Sequence, residues 1–306
     1  MKVTVIGAGA MGGLFSAYLS LRNEVTVIDV NAGLVEKINA EGMKVREPDG
    51  SLHVYHPKAA QSAAGMLPAD LVVVFVKSTF SESALTANRE AIGPNTYLMT
   101  LQNGSGHEDT LLKFTDALHV VIGTTQHNAG VSELGTTNHG GNGPTTIGCI
   151  AGEEKRLEPL AENLTACGIP TAVSGDVRQM IWNKMFTNVS ASALTGILQV
   201  PLGFIARDPH AWDLCRALIS ETAAVAAALG MNFDPAEKTD EVRHVCEKSP
   251  NGLTSIYADL KAGRRSEVDT ISGSVVRAGK KCGVPTPYME FAVNLIHSME
   301  DRAAVR

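Results

Sequence analysis

A short β-branched run at residues 2–6 breaks into Gly7-Ala8-Gly9-Ala10-Met11-Gly12 and continues with helical spacing to about residue 22. The order strand, glycine turn, helix leaves few folds open, because each glycine has a separate geometric task. Gly7 permits the tight turn, Gly9 lets backbone approach a pyrophosphate, and Gly12 lets helix and strand pack closely. The start of the helix then presents unpaired N–H groups, and the positive end of its dipole, to the phosphates. A second strand at 25–29 ends on Asp29, where a carboxylate accepts hydrogen bonds from ribose hydroxyls and repels a 2′-phosphate. Val30-Asn31-Ala32 follow, with no arginine among them. The cofactor expected is therefore NADP or NAD, with Asp29 favouring NAD.

Further along, strand-like runs at 71–76 and 97–101 alternate with helical spacing at 34–40 and 81–91. Residues 43–57 read as a hairpin turning at Pro48-Asp49-Gly50. Near-continuous apolar strands alternating with helices predict an α/β fold with a Rossmann-type parallel sheet. From 120 to 150 glycine, threonine, asparagine and histidine become dense, and short alternating segments predict a meander at the sheet edge. A helix at 153–167 and a strand at 170–173 follow. After Gly175-Asp176 long helical periodicities take over, at 177–198, 210–229, 235–247, 253–262, 266–281 and 287–305. The expected organisation is a dinucleotide-binding domain over 1–175 and an all-helical substrate and catalytic domain over 176–306, a length sufficient for two cores.

The net charge is −6 and no basic cluster stands out, so no nucleic-acid partner is expected. The apolar run at 71–76 is too short for a bilayer, and no basic region with a cleavage site marks the start, so no membrane partner and a cytoplasmic location are expected. The five cysteines are odd in number, scattered, and lack a C-x-x-C pair, which argues against a disulfide framework or a metal site. His127 and His139 fall in the glycine-rich stretch and are expected in surface or loop positions.

Lys77 directly follows the strand at 71–76 and Asn103-Gly104 the strand at 97–101. Ligands of open α/β sheets sit at such strand ends. In Trp182-Asn183-Lys184-Met185-Phe186-Thr187-Asn188, Lys184 and Asn188 stand one helical turn apart, and Ser192 is expected on the same face a further turn along. Lys184, beside Trp182, Met185 and Phe186, is expected in apolar surroundings that lower its pKa and make it a usable proton donor. Ser255 and Asp259 repeat the i, i+4 spacing, and Lys184, Asn188, Ser192, Ser255 and Asp259 are the residues expected at the substrate. Ser266 reads as an N-cap completed by Asp269, with Glu267 in the first helical turn.

Taken in order, the glycine motif, Val76-Lys77, Leu101-Gln102-Asn103-Gly104, Gly123-Thr124-Thr125, Trp182-Asn183-Lys184 with Asn188, and Ser255, Asp259 and Glu267-Val268-Asp269 before Gly283-Val284-Pro285-Thr286-Pro287 resemble the ketopantoate reductase (2-dehydropantoate 2-reductase) family over almost the whole chain. The resemblance implies reduction of 2-dehydropantoate to (R)-pantoate on the route to pantothenate and coenzyme A. It implies that Lys184 donates the proton, that Asn188 and Ser255 bind substrate, and that Lys77, Asn103, Ala129 and Glu267 contact the cofactor. Asp259 matches a polar residue of the family's active-site helix. Three positions depart from the pattern: Asp29-Val30 where many members have a basic residue, Ser192 where a second Asn is frequent, and Leu202 in place of a further Asn. These departures point towards NAD-dependent D-2-hydroxyacid dehydrogenases of the D-mandelate type, which share the fold. The partner expected is a small 2-oxo acid, and pairing through the helical domain as a homodimer is expected as well. A non-catalytic nucleotide sensor is the competing class; the polar residues at 184, 188, 255 and 267 argue against it.

Overall fold

A computed structural model describes residues 1–304. The chain forms two compact units, Met1–Gln102 with His107–Arg178, and Asn103–Gly106 with the residues from Gln179 onward.

The first unit opens with β1 (Lys2–Ile6), α1 (Ala10–Leu19), β2 (Glu24–Ile28) and α2 (Ala32–Glu41). The hairpin β3 (Met43–Arg46) and β4 (Leu52–Tyr55) comes next, then β5 (Lys58–Ala60) and β6 (Leu71–Val74). After α3 (Ser81–Ala87), β7 (Tyr97–Thr100) and α4 (Glu108–Leu111) lie β8 (Val120–Thr125), β9 (Asn128–Glu133), β10 (Thr136–Gly141) and β11 (Thr145–Cys149). The unit closes with α5 (Glu158–Ala166) and β12 (Thr171–Val173). Eight strands make one sheet in the order β12-β11-β8-β7-β6-β1-β2-β5. Its core is parallel, and β8 against β11 is the antiparallel pair. Central strands covered on both faces are near-continuous apolar runs; Val3, Val5, Val72, Val73 and Val74 are almost fully buried.

The expected edge meander is divided between two sheets. β8 and β11 carry the apolar residues Val120, Val121, Ile122 and Ile147 and stay in the large sheet. β9 and β10, poor in apolar side chains, leave it and join the β3–β4 hairpin in a second sheet of order β4-β3-β10-β9. That sheet lies so close to α1 that a Cβ at Gly13 would stand 2.6 Å from Thr137 Oγ1. The short strand β5 and helix α4 gave no periodic signal in the sequence.

His127 and His139 are not surface residues. They are 6% and 3% exposed, their rings stack with centroids 5.2 Å apart, and Nδ1 of His127 lies 3.1 Å from Nε2 of His139. The cause is a buried polar network behind α1. The Tyr18 hydroxyl donates to Glu47 Oε1 at 2.7 Å, and His139 Nδ1 lies 2.7 Å from Glu47 Oε2. Burial, and then the bond to Glu47, push the Tyr18 phenol well above its ordinary pKa, so it remains the donor.

From α6 (Val177–Thr187) onward the chain is helical: α7 (Ala193–Leu198), α8 (Leu202–Arg207), α9 (Pro209–Ala228), α10 (Pro235–Lys248), α11 (Ser255–Lys261), α12 (Ser272–Cys282) and α13 (Pro287–Ala304). Phe186, Val189, Ile219, Val242, Val275 and Ile296 are among the side chains of its core. Pro201 and Asp208 bracket α8, whose six residues are too few to reveal a period in the sequence. The helix expected from Ser266 starts at Ser272 instead. Ser266 cannot cap it, because its N–H and its hydroxyl both donate to Glu300 Oε1, each at 2.7 Å. Asp269 likewise is engaged by His297 Nε2 at 3.1 Å and not by a capping box. No helix among the described residues is long and apolar enough to cross a membrane.

Replacing Glu47 by Ala leaves the Tyr18 hydroxyl and His139 Nδ1 without their shared carboxylate. The expected cost is about 1–3 kcal/mol, read as a lower denaturation midpoint with an unchanged slope. An unaltered midpoint would show that the network contributes nothing to stability.

Candidate active site

The glycine turn is held by contacts that exclude any larger residue. Gly7 has φ +100°, and a Cβ there would stand 2.8 Å from Val76 N. Its N–H donates to Ile28 O at 2.8 Å, which ties the turn to the end of β2. A Cβ on Gly12 would collide with the Gly7 carbonyl oxygen, so α1 can start only if that residue has none. Gly9 is the opposite case: it is exposed and nothing lies within 4 Å of where its Cβ would be. This is open space at a helix N-terminus, and it fits a pyrophosphate. Ala8 is buried, and Ala10 and Met11 are partly buried in the first turn of α1.

Asp29 sits directly beside this turn. Its Oδ2 accepts from Ala8 N at 2.9 Å and its Oδ1 from Asn31 N at 3.0 Å. Asp29 does not cap α2; Asn31 does, accepting from Leu34 N. Next to Ala8, Gly9 and Asp29 is a small cavity of about 120 Å³ walled by Leu34, Met43, Val131 and Leu134. Ala129 lies in β9, partly buried against the core of the same unit.

Lys77 is partly buried just past the end of β6. Gln102, which the sequence reading quoted but did not single out, fixes that end. Its Nε2 donates to Val76 O at 2.6 Å and to Ser81 Oγ at 3.0 Å, while its Oε1 accepts from Thr100 Oγ1 at 2.7 Å. The signal available in the sequence was a polar residue immediately after an apolar strand.

In the second unit, Lys184 lies on α6 and Asn188 and Ser192 on the turn that follows it. A π turn over Asn188–Ser192 interrupts the helix between α6 and α7, and such turns change the phase of everything after them. Ser192 is 6% exposed, and its carbonyl accepts from Thr195 Oγ1 at 2.8 Å. Asn188 is half-buried. Lys184 stands on the solvent-accessible side of α6, while Trp182, Met185 and Phe186 are buried. Enough protein still surrounds its amine for desolvation to lower the pKa below the ordinary lysine value. Neighbouring Asn183 accepts from Lys238 Nζ at 2.8 Å, and Lys238 also pairs with Glu241 at 2.7 Å, so α6 is fastened to α10 beside Lys184.

Ser255 is the exposed first residue of α11, after the capping Thr254. Asp259, 9% exposed, pairs with Arg264 Nε at 3.0 Å. Glu267 is partly buried in the turns before α12. The same segment meets residues from far upstream: Ser105 N donates to Thr270 O at 3.0 Å, and a Cβ on Gly104, φ +99°, would collide with that carbonyl. Asn103 is thus brought to the segment that carries Glu267.

Two family models cover most of the chain. One described as "Ketopantoate reductase PanE/ApbA" matches residues 3–152, and one described as "Ketopantoate reductase PanE/ApbA C terminal" matches residues 176–300. A 2-dehydropantoate 2-reductase of Lactococcus lactis subsp. lactis (strain IL1403) is 33% identical, over 98% of this chain and 98% of that protein. One from Halobacterium salinarum (strain ATCC 700922 / JCM 11081 / NRC-1) is 30% identical, over 97% of this chain and 98% of that protein. Among solved structures, a ternary complex of D-mandelate dehydrogenase with NADH and anilino(oxo)acetate superimposes with TM-score 0.91 at 29% identity, covering 100% of both chains.

One charged cluster of the second unit predicts a pH dependence. Burial alone would lower the His297 pKa. The bond to Glu300 and the charge of Asp269 outweigh it, and the net shift is upward. A raised value in the folded state means that the imidazolium stabilises the fold fully below the ordinary histidine pKa, and that this contribution is lost as pH rises through the raised value. His297→Gln should therefore lose stability relative to the parent at about pH 6 and converge on it by about pH 9, as measured by urea unfolding. A difference that grew with pH would reverse the assignment.

Proposed function

The chain belongs to the ketopantoate reductase family, and on that premise we propose that it reduces the ketone of 2-dehydropantoate to (R)-pantoate with a nicotinamide cofactor. It is an oxidoreductase acting at a CH–OH carbon, with a small keto acid as its substrate. The observation that carries the reading is one chain holding both a glycine turn locked by Asp29 and a helix that bears an amine of lowered pKa, in a sequence alike over its full length to curated reductases.

A reduced nicotinamide, when bound, supplies the hydride that the ketone carbon accepts. The protein's own part is to bind, orient and deliver a proton. Lys184, protonated, hydrogen-bonds the ketone oxygen and gives up a proton as negative charge grows there. Desolvation assists, because an amine of lowered pKa releases its proton more readily. Asn188 and Ser255 take the substrate's carboxylate and hydroxyl, and Asp259, fixed by Arg264, supports the helix that carries Ser255. Lys77, Asn103, Ala129 and Glu267 are assigned to the cofactor, with Gln102 holding the strand end beside Lys77. NADH is the preferred form, because the Asp29 carboxylate beside Gly9 opposes a 2′-phosphate. The five free thiols fit a reducing, cytoplasmic setting, and a homodimer through the helical unit belongs to the same proposal.

The likeness to a D-mandelate dehydrogenase complexed with NADH, together with Asp29 and Ser192, favours a second reading in which a bulkier 2-oxo acid is the substrate. Comparing kcat/KM for ketopantoate, 2-oxoisovalerate and phenylglyoxylate, each with NADH and with NADPH, separates the two.

Lys184→Ala should lower kcat by about 100-fold or more while NADH still binds by fluorescence titration. Retention of full turnover would remove Lys184 from the mechanism. Asp29→Asn keeps an acceptor for the Ala8 N–H but removes the charge. The ratio of NADPH to NADH efficiency should rise by at least about tenfold, and an unchanged ratio would leave the choice of cofactor to other residues.

A further inference from the structure

We propose that Glu300, on the last turns of α13, is a positioning residue that holds the Glu267 segment in its working conformation. The proposal rests on the reading of Glu267 as a site residue. Glu267 lies between the end of α11 and the start of α12, and downstream of it local turns close, Thr270 N and Ile271 N donating to its carbonyl at 3.2 and 3.1 Å. Upstream of it, residues 264–266 keep one shape only if their polar groups are bonded to other elements. On the far side of Glu267, Val268 and Ile271 are buried in the core, and Gly273 N closes onto Val268 O at 2.8 Å. On the near side Glu300 does this work. Its side chain is 1% exposed, and its carboxylate takes Ser266 N–H and Ser266 Oγ–H at 2.7 Å each, His297 Nδ1 at 2.9 Å and Arg265 Nη1 at 3.4 Å.

A buried carboxylate is a costly way to fill space, since an apolar side chain packs there without losing hydration. What the carboxylate adds is directional: it fixes the backbone N–H of the residue immediately before Glu267. The surrounding partners keep it oriented. His297 bridges it to Asp269 at 3.1 Å, and Arg265 bridges it to Asp301 at 2.7 Å. Arg264 completes the clasp, its Nε on Asp259 at 3.0 Å and its N–H on Asp259 O at 2.8 Å. Residues 264, 265, 266 and 269 are thus all bonded to α11 or α13, and the residues they enclose are Glu267 and the buried Val268. No such role was legible in the sequence, where Glu300 is one acidic residue among several at the end of a helix.

A double-mutant cycle tests this. Glu300→Gln should lower kcat at saturating substrate and cofactor by between about ten- and a hundredfold, the scale of a small misplacement of catalytic groups. Glu267→Gln should lower it too, and the double variant should fall no further than the worse single one, because Glu300 acts through Glu267. Should Glu300→Gln fold poorly, Ser266→Ala removes only one of the two 2.7 Å bonds and should show the same non-additivity at smaller amplitude. Independent, multiplying effects would overturn the proposal and leave Glu267 as a site residue. So would a lower melting temperature with kcat unchanged. A silent Glu267→Gln would instead sink the site reading of Glu267, and the proposal with it.

Discussion

Two stretches of backbone in the first unit pass each other so closely that one added carbon has no place to go. A Cβ on Gly12 would occupy the position of the Gly7 carbonyl oxygen, and a Cβ on Gly7 would meet the backbone at Val76. This close approach sets the angle at which α1 leaves β1, and with it the position of the helix N-terminus over the sheet. Asp29 then fixes the turn from the neighbouring strand by accepting the Ala8 N–H. The open ground at Gly9 exists because its neighbours are held this tightly. A phosphate-sized space beside mobile backbone would have to be ordered on binding, at a cost in affinity.

The same principle, polar groups placed by other buried polar groups, recurs where no glycine is involved. Gln102 ties the ends of β6 and β7 to α3 through three hydrogen bonds. Lys238 anchors Asn183 next to Lys184. Glu47 gathers Tyr18 and His139 behind α1. Each arrangement buries groups that are expensive to desolvate and recovers the cost only if every partner is in place. Such networks specify one geometry more sharply than apolar packing does, and they cluster around the segments assigned to chemistry.

Much of the architecture was legible from periodicity. The β1–α1 turn, the apolar strands β6 and β7, the β3–β4 hairpin and the long helices α9, α10 and α13 all have local signals: alternation, 3.6-residue spacing, glycine and proline at the breaks. The readings that failed were those in which a local pattern met a distant partner. Ser266 and Asp269 have capping-box spacing, yet Glu300 and His297, some thirty positions on, claim their polar groups and the helix starts six residues later. His127 and His139 sit in a glycine-rich stretch that looks like loop, yet the sheet it joins closes over them.

By itself the sequence determined the elements and the chemistry each could carry, because turn geometry, capping preference and amphipathic period act over a few residues of chain. Only the tertiary structure decided which polar groups meet: Glu47 with His139, Asn183 with Lys238, Ser266 with Glu300, separated by 92, 55 and 34 positions. Those pairings follow from how whole helices and sheets pack. No window of sequence contains both partners, and the strength of each bond depends on a burial that exists only once the chain has folded.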